Sequence, residues 1–106
     1  MSWQVRLTED AESDLERTYD YYEGQRAGLG LRFLATVRKS LEVLEEMPLI
    51  FGEIIPDVRF HLVDPFQQVV YYVVLDDTVH VIGVIHAKRD PRVLNERWKG
   101  FFDQAE

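Results

Sequence analysis

Two apolar runs separated by a two-residue break constrain this chain more than anything else in it. Gln68–Leu75 (QVVYYVVL) and Thr78–Ala87 (TVHVIGVIHA) are rich in β-branched and aromatic residues, and only Asp76-Asp77 lies between them. Short runs of this composition are strands, and so short a connection joins antiparallel neighbours. The first run is almost wholly apolar, which places it in the middle of a sheet with both faces covered. The second ends in the polar cluster His86-Ala87-Lys88-Arg89-Asp90-Pro91. A buried hairpin therefore delivers His86, Lys88, Arg89 and Arg92 to one edge of a small domain.

The remaining elements follow from period and punctuation. Residues 3–7 alternate, with Trp3, Val5 and Leu7 on one side, as in a half-buried strand. Thr8 offers an N-cap hydroxyl, and Glu9 and Asp10 suit the positive end of a helix dipole. A helix to about Arg26 carries the apolar stripe Ala11, Leu15, Tyr19 and Tyr22. Its other face, Glu9, Glu12, Asp14, Glu16, Asp20 and Glu23, reads as solvated. Gly28 and Gly30 permit a tight reversal. A second helix then runs from about Leu31 to Glu46 with Phe33, Leu34, Val37, Leu41 and Leu44 buried, and Pro48 stops it. Residues 48–57 read as a loop whose apolar side chains pack on the core. Strand Val58–Val63 puts Val58, Phe60 and Leu62 on one face, Arg59 and His61 on the other. Asp90-Pro91 opens a last helix bearing Val93, Leu94, Trp98 and Phe101. The order β-α-α-β-β-β-α predicts an α+β fold, a helical hairpin packed with the last helix on one face of a small, mainly antiparallel sheet.

At 106 residues the chain is expected to form one domain, residues 1–106, large enough to fold without staples. It has no cysteine, which excludes disulfides and zinc–thiolate sites. Three histidines make no metal signature, and no cofactor motif is present. The N-terminal residues lack a signal-peptide pattern and no run reaches membrane-spanning length, so a cytoplasmic location without membrane contact is expected. The net charge of −7 opposes general nucleic-acid binding. The charge is uneven: residues 1–56 hold 11 acidic and 6 basic side chains, whereas residues 86–99 hold five basic and two acidic. Arg97 and Lys99 suit either that basic edge or the end of a helix dipole.

The candidate chemistry is a base, a charge stabiliser and an acid: Glu53, Arg59 and His86 could serve phosphoryl transfer if strand register brings them together. Strand Thr78–Ala87 is expected to put His80, Ile82, Val84 and His86 on one face. Equally, His86 reads as a strand-end histidine bonded to backbone, and Arg59 as an ion-pair partner of Asp57, Asp64 or the acidic helix.

The opening VRLTEDAESDLERTYDYYEGQ, with Ala11, Asp14-Leu15 and Tyr19, the helix end Leu44–Pro48 (LEEMP), Arg59 on its strand, Val70-Tyr71-Tyr72, and His86-x-x-Arg89-Asp90 occur in an order and spacing that resemble the RelE/ParE superfamily of bacterial type II toxins, the plasmid stabilisation proteins. The resemblance covers nearly the whole chain. It implies a growth-inhibiting toxin held inactive by a cognate antitoxin in a hetero-oligomer. On the ParE-like side the target is DNA gyrase and the protein is a non-enzymatic inhibitor, with Arg59, Lys88, Arg89 and Arg92 contacting gyrase or antitoxin. On the RelE-like side it is an endoribonuclease cutting messenger RNA on the ribosome, with Glu53, Arg59, Tyr72, His86 and Arg89 as catalytic residues. A third possibility is a non-toxic relic of the same fold. RelE-like nucleases are basic over the sheet, whereas this chain has no lysine between Lys39 and Lys88, and Val73 follows Tyr72 where arginine is common. The long helical hairpin and the His-x-x-Arg-Asp ending favour the ParE-like reading.

Overall fold

A computed structural model describes residues 2–105. In chain order the elements are β1 (Gln4–Leu7), α1 (Glu9–Gln25), α2 (Leu29–Glu46), β2 (Glu53–Ile55), β3 (Val58–Val63), β4 (Gln68–Leu75), β5 (Thr78–His86) and α3 (Pro91–Ala105). The strands form one sheet, ordered β1-β5-β4-β3-β2. β1 runs parallel to β5, and the other neighbours are antiparallel. This is the expected α+β architecture, with β4 central and β3-β4-β5 a meander.

Local chemistry explains the element ends. Thr8 Oγ1 accepts the Ala11 N–H at 3.2 Å and caps α1. At the reversal Gly28 has φ 89°, a left-handed value suited to glycine. The Glu23 carboxylate accepts the N–H groups of Gly28 and Gly30, each at 2.9 Å. That satisfies donors the new helix leaves open, and α2 starts at Leu29, two residues earlier than the glycines alone suggest. Gly30 sits against the Tyr19 ring, where a Cβ would fall 2.7 Å from a ring carbon; the two helices approach closely there. Asp76 and Asp77 both have positive φ, 52° and 60°, the mirror-image turn that matches the twist of a hairpin.

Three features differ from the expectation. First, residues 53–55 are a short edge strand rather than part of a loop, and Leu49, Ile50 and Ile54 are exposed. Only Pro48 of that segment is fully buried. Second, α3 lies across the sheet from the helical hairpin. One core joins Phe33, Val37 and Leu44 to Val63, Val70, Tyr72 and Val84. The other joins Leu94, Trp98 and Phe101 of α3 to Val58, Val69, Tyr71, Val73 and Ile82. A strand apolar on both sides needs cover on both sides, and β4 receives it. Phe60 and Leu62 share a face with Val58, as the alternation required, but α3 leaves them open to solvent. Third, β5 carries a bulge. Tyr71 pairs with Gly83 and Tyr72 with Val81, so Ile82 is an extra residue. A bulge reverses the in–out alternation beyond it. Val79, Val81 and Val84 therefore belong to the hairpin core, and Ile82 and Ile85 to the α3 core. His80 meets Phe101 of α3 at 4.9 Å between ring centroids, whereas His86, in register with Gln68, is on the hairpin side. The four residues expected on one face are split.

Candidate functional site

Arg59 occupies β3 opposite Tyr72 of β4 and Glu53 of β2. Its guanidinium donates to the carbonyls of Leu49 at 3.3 Å and Phe51 at 2.5 Å. The fully buried Tyr72 hydroxyl donates to the Pro48 carbonyl at 2.7 Å. Burial pushes the Tyr72 phenol up to about 12, against the opposing pull of Arg59. These two side chains therefore fasten the segment that follows α2. None of the three ion pairs considered for Arg59, with Asp57, Asp64 or the acidic helix, forms among the described residues. Glu53 is exposed, and its carboxylate accepts the Asp57 N–H at 3.1 Å.

His86 lies elsewhere. It pairs with Gln68, four residues along β4 from Tyr72, roughly 13 Å at the rise of a strand. Its Nδ1 accepts the Lys88 N–H at 3.0 Å, so it is a strand-end histidine bonded to backbone. Arg89 borders the same cleft as His86. The five residues of the nuclease reading thus fall in two groups, Glu53, Arg59 and Tyr72 at one end of β4, His86 and Arg89 at the other.

The cationic corner exists without Arg59. Lys88 and Arg89 are exposed and make no ion pair among the described residues. Asp90 caps α3 by accepting the Arg92 N–H at 2.9 Å, and its carboxylate takes the Arg92 guanidinium at 2.7 Å. Hydrogen bonds from Arg92 hold the Asp90 carboxyl below its usual range.

One centre escaped the sequence. Asp14, assigned there to the solvated acidic face, is 4% exposed and binds Arg97 of α3, itself 12% exposed. Both terminal guanidinium nitrogens of Arg97 donate to the carboxylate, Nη2 at 2.9 Å. Arg17 adds a contact at 2.8 Å and the Val84 N–H another at 3.0 Å, and Arg97 also donates to the Ile82 carbonyl at 3.2 Å. The reason is topological. β1 covers β5 only from Thr78 to Val81, and beyond it the strand's outer polar groups need partners. The ion pair supplies them, and α1 and α3 meet around the uncovered edge. The contacts with Asp14 keep Arg97 firmly protonated. Gly83 makes room, since a Cβ there would lie 2.9 Å from an Arg97 nitrogen. A glycine inside an apolar strand, with Asp14 beside the α1 stripe and Arg97 within that of α3, was the available signal.

Next to this pair a cleft of about 620 Å³ runs between α1 and the end of β5, bordered by Arg17, Tyr21, Arg32, Gln68, His86 and Arg89. Leu29 also borders it, whereas Phe102 packs at a tilt against Trp98, ring centroids 4.7 Å apart. No group of metal-ligating side chains, and no helix long and apolar enough to cross a membrane, occurs among the described residues.

A family model described as ParE toxin of type II toxin–antitoxin system, parDE, matches residues 5–91. No curated relative matches the chain. Among solved structures, the chromosomal ParDE TA system from P. aeruginosa superposes with TM-score 0.73 at 16% identity, covering 80% of this chain and 96% of that one. The E. coli toxin RelE, in a doubly substituted form in the free state, superposes with TM-score 0.70 at 22% identity, covering 93% and 97%. At these identities the superpositions establish a common fold.

Proposed function

The chain belongs to the ParE toxin family of type II toxin–antitoxin systems, and from that premise we propose that it arrests growth by binding a macromolecular target, DNA gyrase, and not by cutting RNA. The observation that carries this reading is the separation within the candidate nuclease set. A general acid and base must both lie within hydrogen-bond reach of the reacting group. Glu53 and His86 sit at opposite ends of the sheet, while Arg59 and Tyr72 are already bonded to loop carbonyls. Lys88 and Arg89 are free to meet an acidic surface, with Arg92 beside them, and such a corner on an acidic protein steers association with a partner of opposite sign. The toxin acts in the cytoplasm, and a cognate antitoxin neutralises it in a hetero-oligomer.

Purified protein should inhibit gyrase supercoiling at micromolar concentration. Lys88→Glu combined with Arg89→Glu should weaken inhibition by about tenfold or more, as losing charge-assisted contacts does, with thermal stability unchanged. Inert gyrase assays, together with ribosome-dependent transcript cleavage that disappears in His86→Ala, would replace this reading with the endoribonuclease.

A further inference from the structure

We infer that a small cavity beside the cationic corner is an anchor pocket, which takes one aromatic side chain of the target protein with a carboxylate next to it. The cavity, of about 220 Å³, lies between β2 and the first turns of α3, on the α3 side of the sheet and so across it from the cleft at the helical hairpin. Ile54 and Ile55 form one wall, Leu94 the other, and Tyr71 and Ile85 the floor. Two features of the fold keep it open. β2 is three residues long and joins the α3 core only through Ile55. Ala87 also borders the space, with a lone methyl where a longer side chain would fill it. Ile54 is left 48% exposed, and a ring seated there would take its apolar surface out of water.

Size and charge together select the occupant. A cavity of about 150 Å³ holds a benzene ring, and sites for whole small molecules begin near 300 Å³; at about 220 Å³ this one suits a single phenyl or indole. Arg89 borders it and Lys88 precedes Arg89, and neither makes an ion pair among the described residues. The one carboxylate on the rim, Asp90, is already bound to the guanidinium and the N–H of Arg92. A carboxylate adjacent to the aromatic group would therefore meet uncompensated positive charge beside a desolvated pocket, the setting in which few residues carry most of an interface. A nucleotide also joins a ring to an anion. A base among three isoleucines and a leucine would leave its polar edges unpaired, and the net charge of −7 opposes a polynucleotide. The inference rests on the reading of this protein as a binding toxin, and names what the target presents to the corner: an aromatic residue beside an acidic one.

The probe is the acetylated, amidated tripeptide aspartate–tryptophan–aspartate, followed by amide shifts in NMR. Saturable binding at about 1 mM or tighter is expected, the scale of one buried anchor with a charge-assisted contact, with shifts gathered at Ile54, Tyr71, Ile85 and Leu94. Ala87→Phe fills the cavity and Arg89→Glu reverses the rim charge; each should weaken binding about tenfold or more. Arg38→Glu makes the same charge change on an exposed part of α2 away from the pocket and should leave binding within about twofold. Matching circular dichroism spectra establish that the variants fold; should Ala87→Phe not fold, Arg89→Glu and a probe with alanine in place of tryptophan still decide. No saturable binding by the unaltered chain, undiminished binding by folded Ala87→Phe, equal binding of the alanine probe, or tighter binding of adenosine monophosphate overturns the proposal. Gyrase inhibition is scored separately. Inhibition without peptide binding refutes the pocket and spares the toxin reading; peptide binding beside an inert gyrase assay keeps the pocket and removes gyrase as the target.

Discussion

Removing the Asp14 carboxylate strips Arg97 of its main partner in a nearly dry setting and leaves the Val84 N–H unpaired. Asp14→Ala should therefore lower stability by about 3–5 kcal/mol, measured by urea denaturation. Gly83→Ala pushes a methyl into the Arg97 guanidinium and should cost about 1–3 kcal/mol by overpacking. His61 differs in kind. Its Nδ1 is buried with no partner among the described residues, its ring centroid sits 4.6 Å from that of Phe51, and burial lowers its pKa. Burial, then Arg6, lowers that of His80 as well. A depressed histidine pKa means that the unfolded chain takes up the proton first. Stability from these residues is then complete above about pH 6.5 and falls as pH drops below it. His61→Phe should flatten that dependence and raise stability by about 1 kcal/mol, as an orphaned polar atom disappears; thermal melts at pH 7.5 and 5.5 (about one unit either side of the ordinary histidine value) test it. Little of this was legible. Arg59 was visible as a charge on its strand, but its partners are carbonyls eight and ten positions upstream, and no local pattern encodes such a meeting. Asp14 looked solvated because composition outweighed its place next to Leu15.

The helical hairpin tests how glycine works in two settings. Gly30→Ala must displace the Tyr19 ring and the Glu23 carboxylate and should cost about 1–3 kcal/mol. Gly24, inside α1 with nothing among the described residues within 4 Å of an added Cβ, should gain about 0.5–1 kcal/mol on mutation to alanine. Denaturation midpoints of the two variants should move in opposite directions. Both long helices and the reversal were readable because a 3.6 period and a glycine pair are strong signals. β2 was not, because three residues carry no period. The bulge in β5 was hidden for another reason: where both faces of a strand are apolar, alternation gives no phase to lose. Nor could sequence place α3, since an apolar stripe names a need for cover without naming the side that supplies it.

Two cores share one sheet, and β4 and β5 feed both. Local opening is hardest where buried contacts lie on both sides. Amide hydrogen exchange should be slowest in β4 and β5, and fastest in β2, whose residues 53 and 54 are exposed. Uniform protection across the sheet would contradict this division. The charge imbalance between the first half and residues 86–99 correctly announced a cationic corner, because formal charge survives folding. It could not say that Arg59 stays away from that corner, which depends on register. Ile82 has a consequence for how this sequence can drift. It acts like a frameshift in a two-letter code: upstream, odd-numbered residues face the hairpin; downstream, even-numbered ones do. Loss of that single codon would close the ladder with Val84 and His86 still facing the hairpin, and its cost would fall on α3, which gives up the Ile82 side chain and the carbonyl that Arg97 uses.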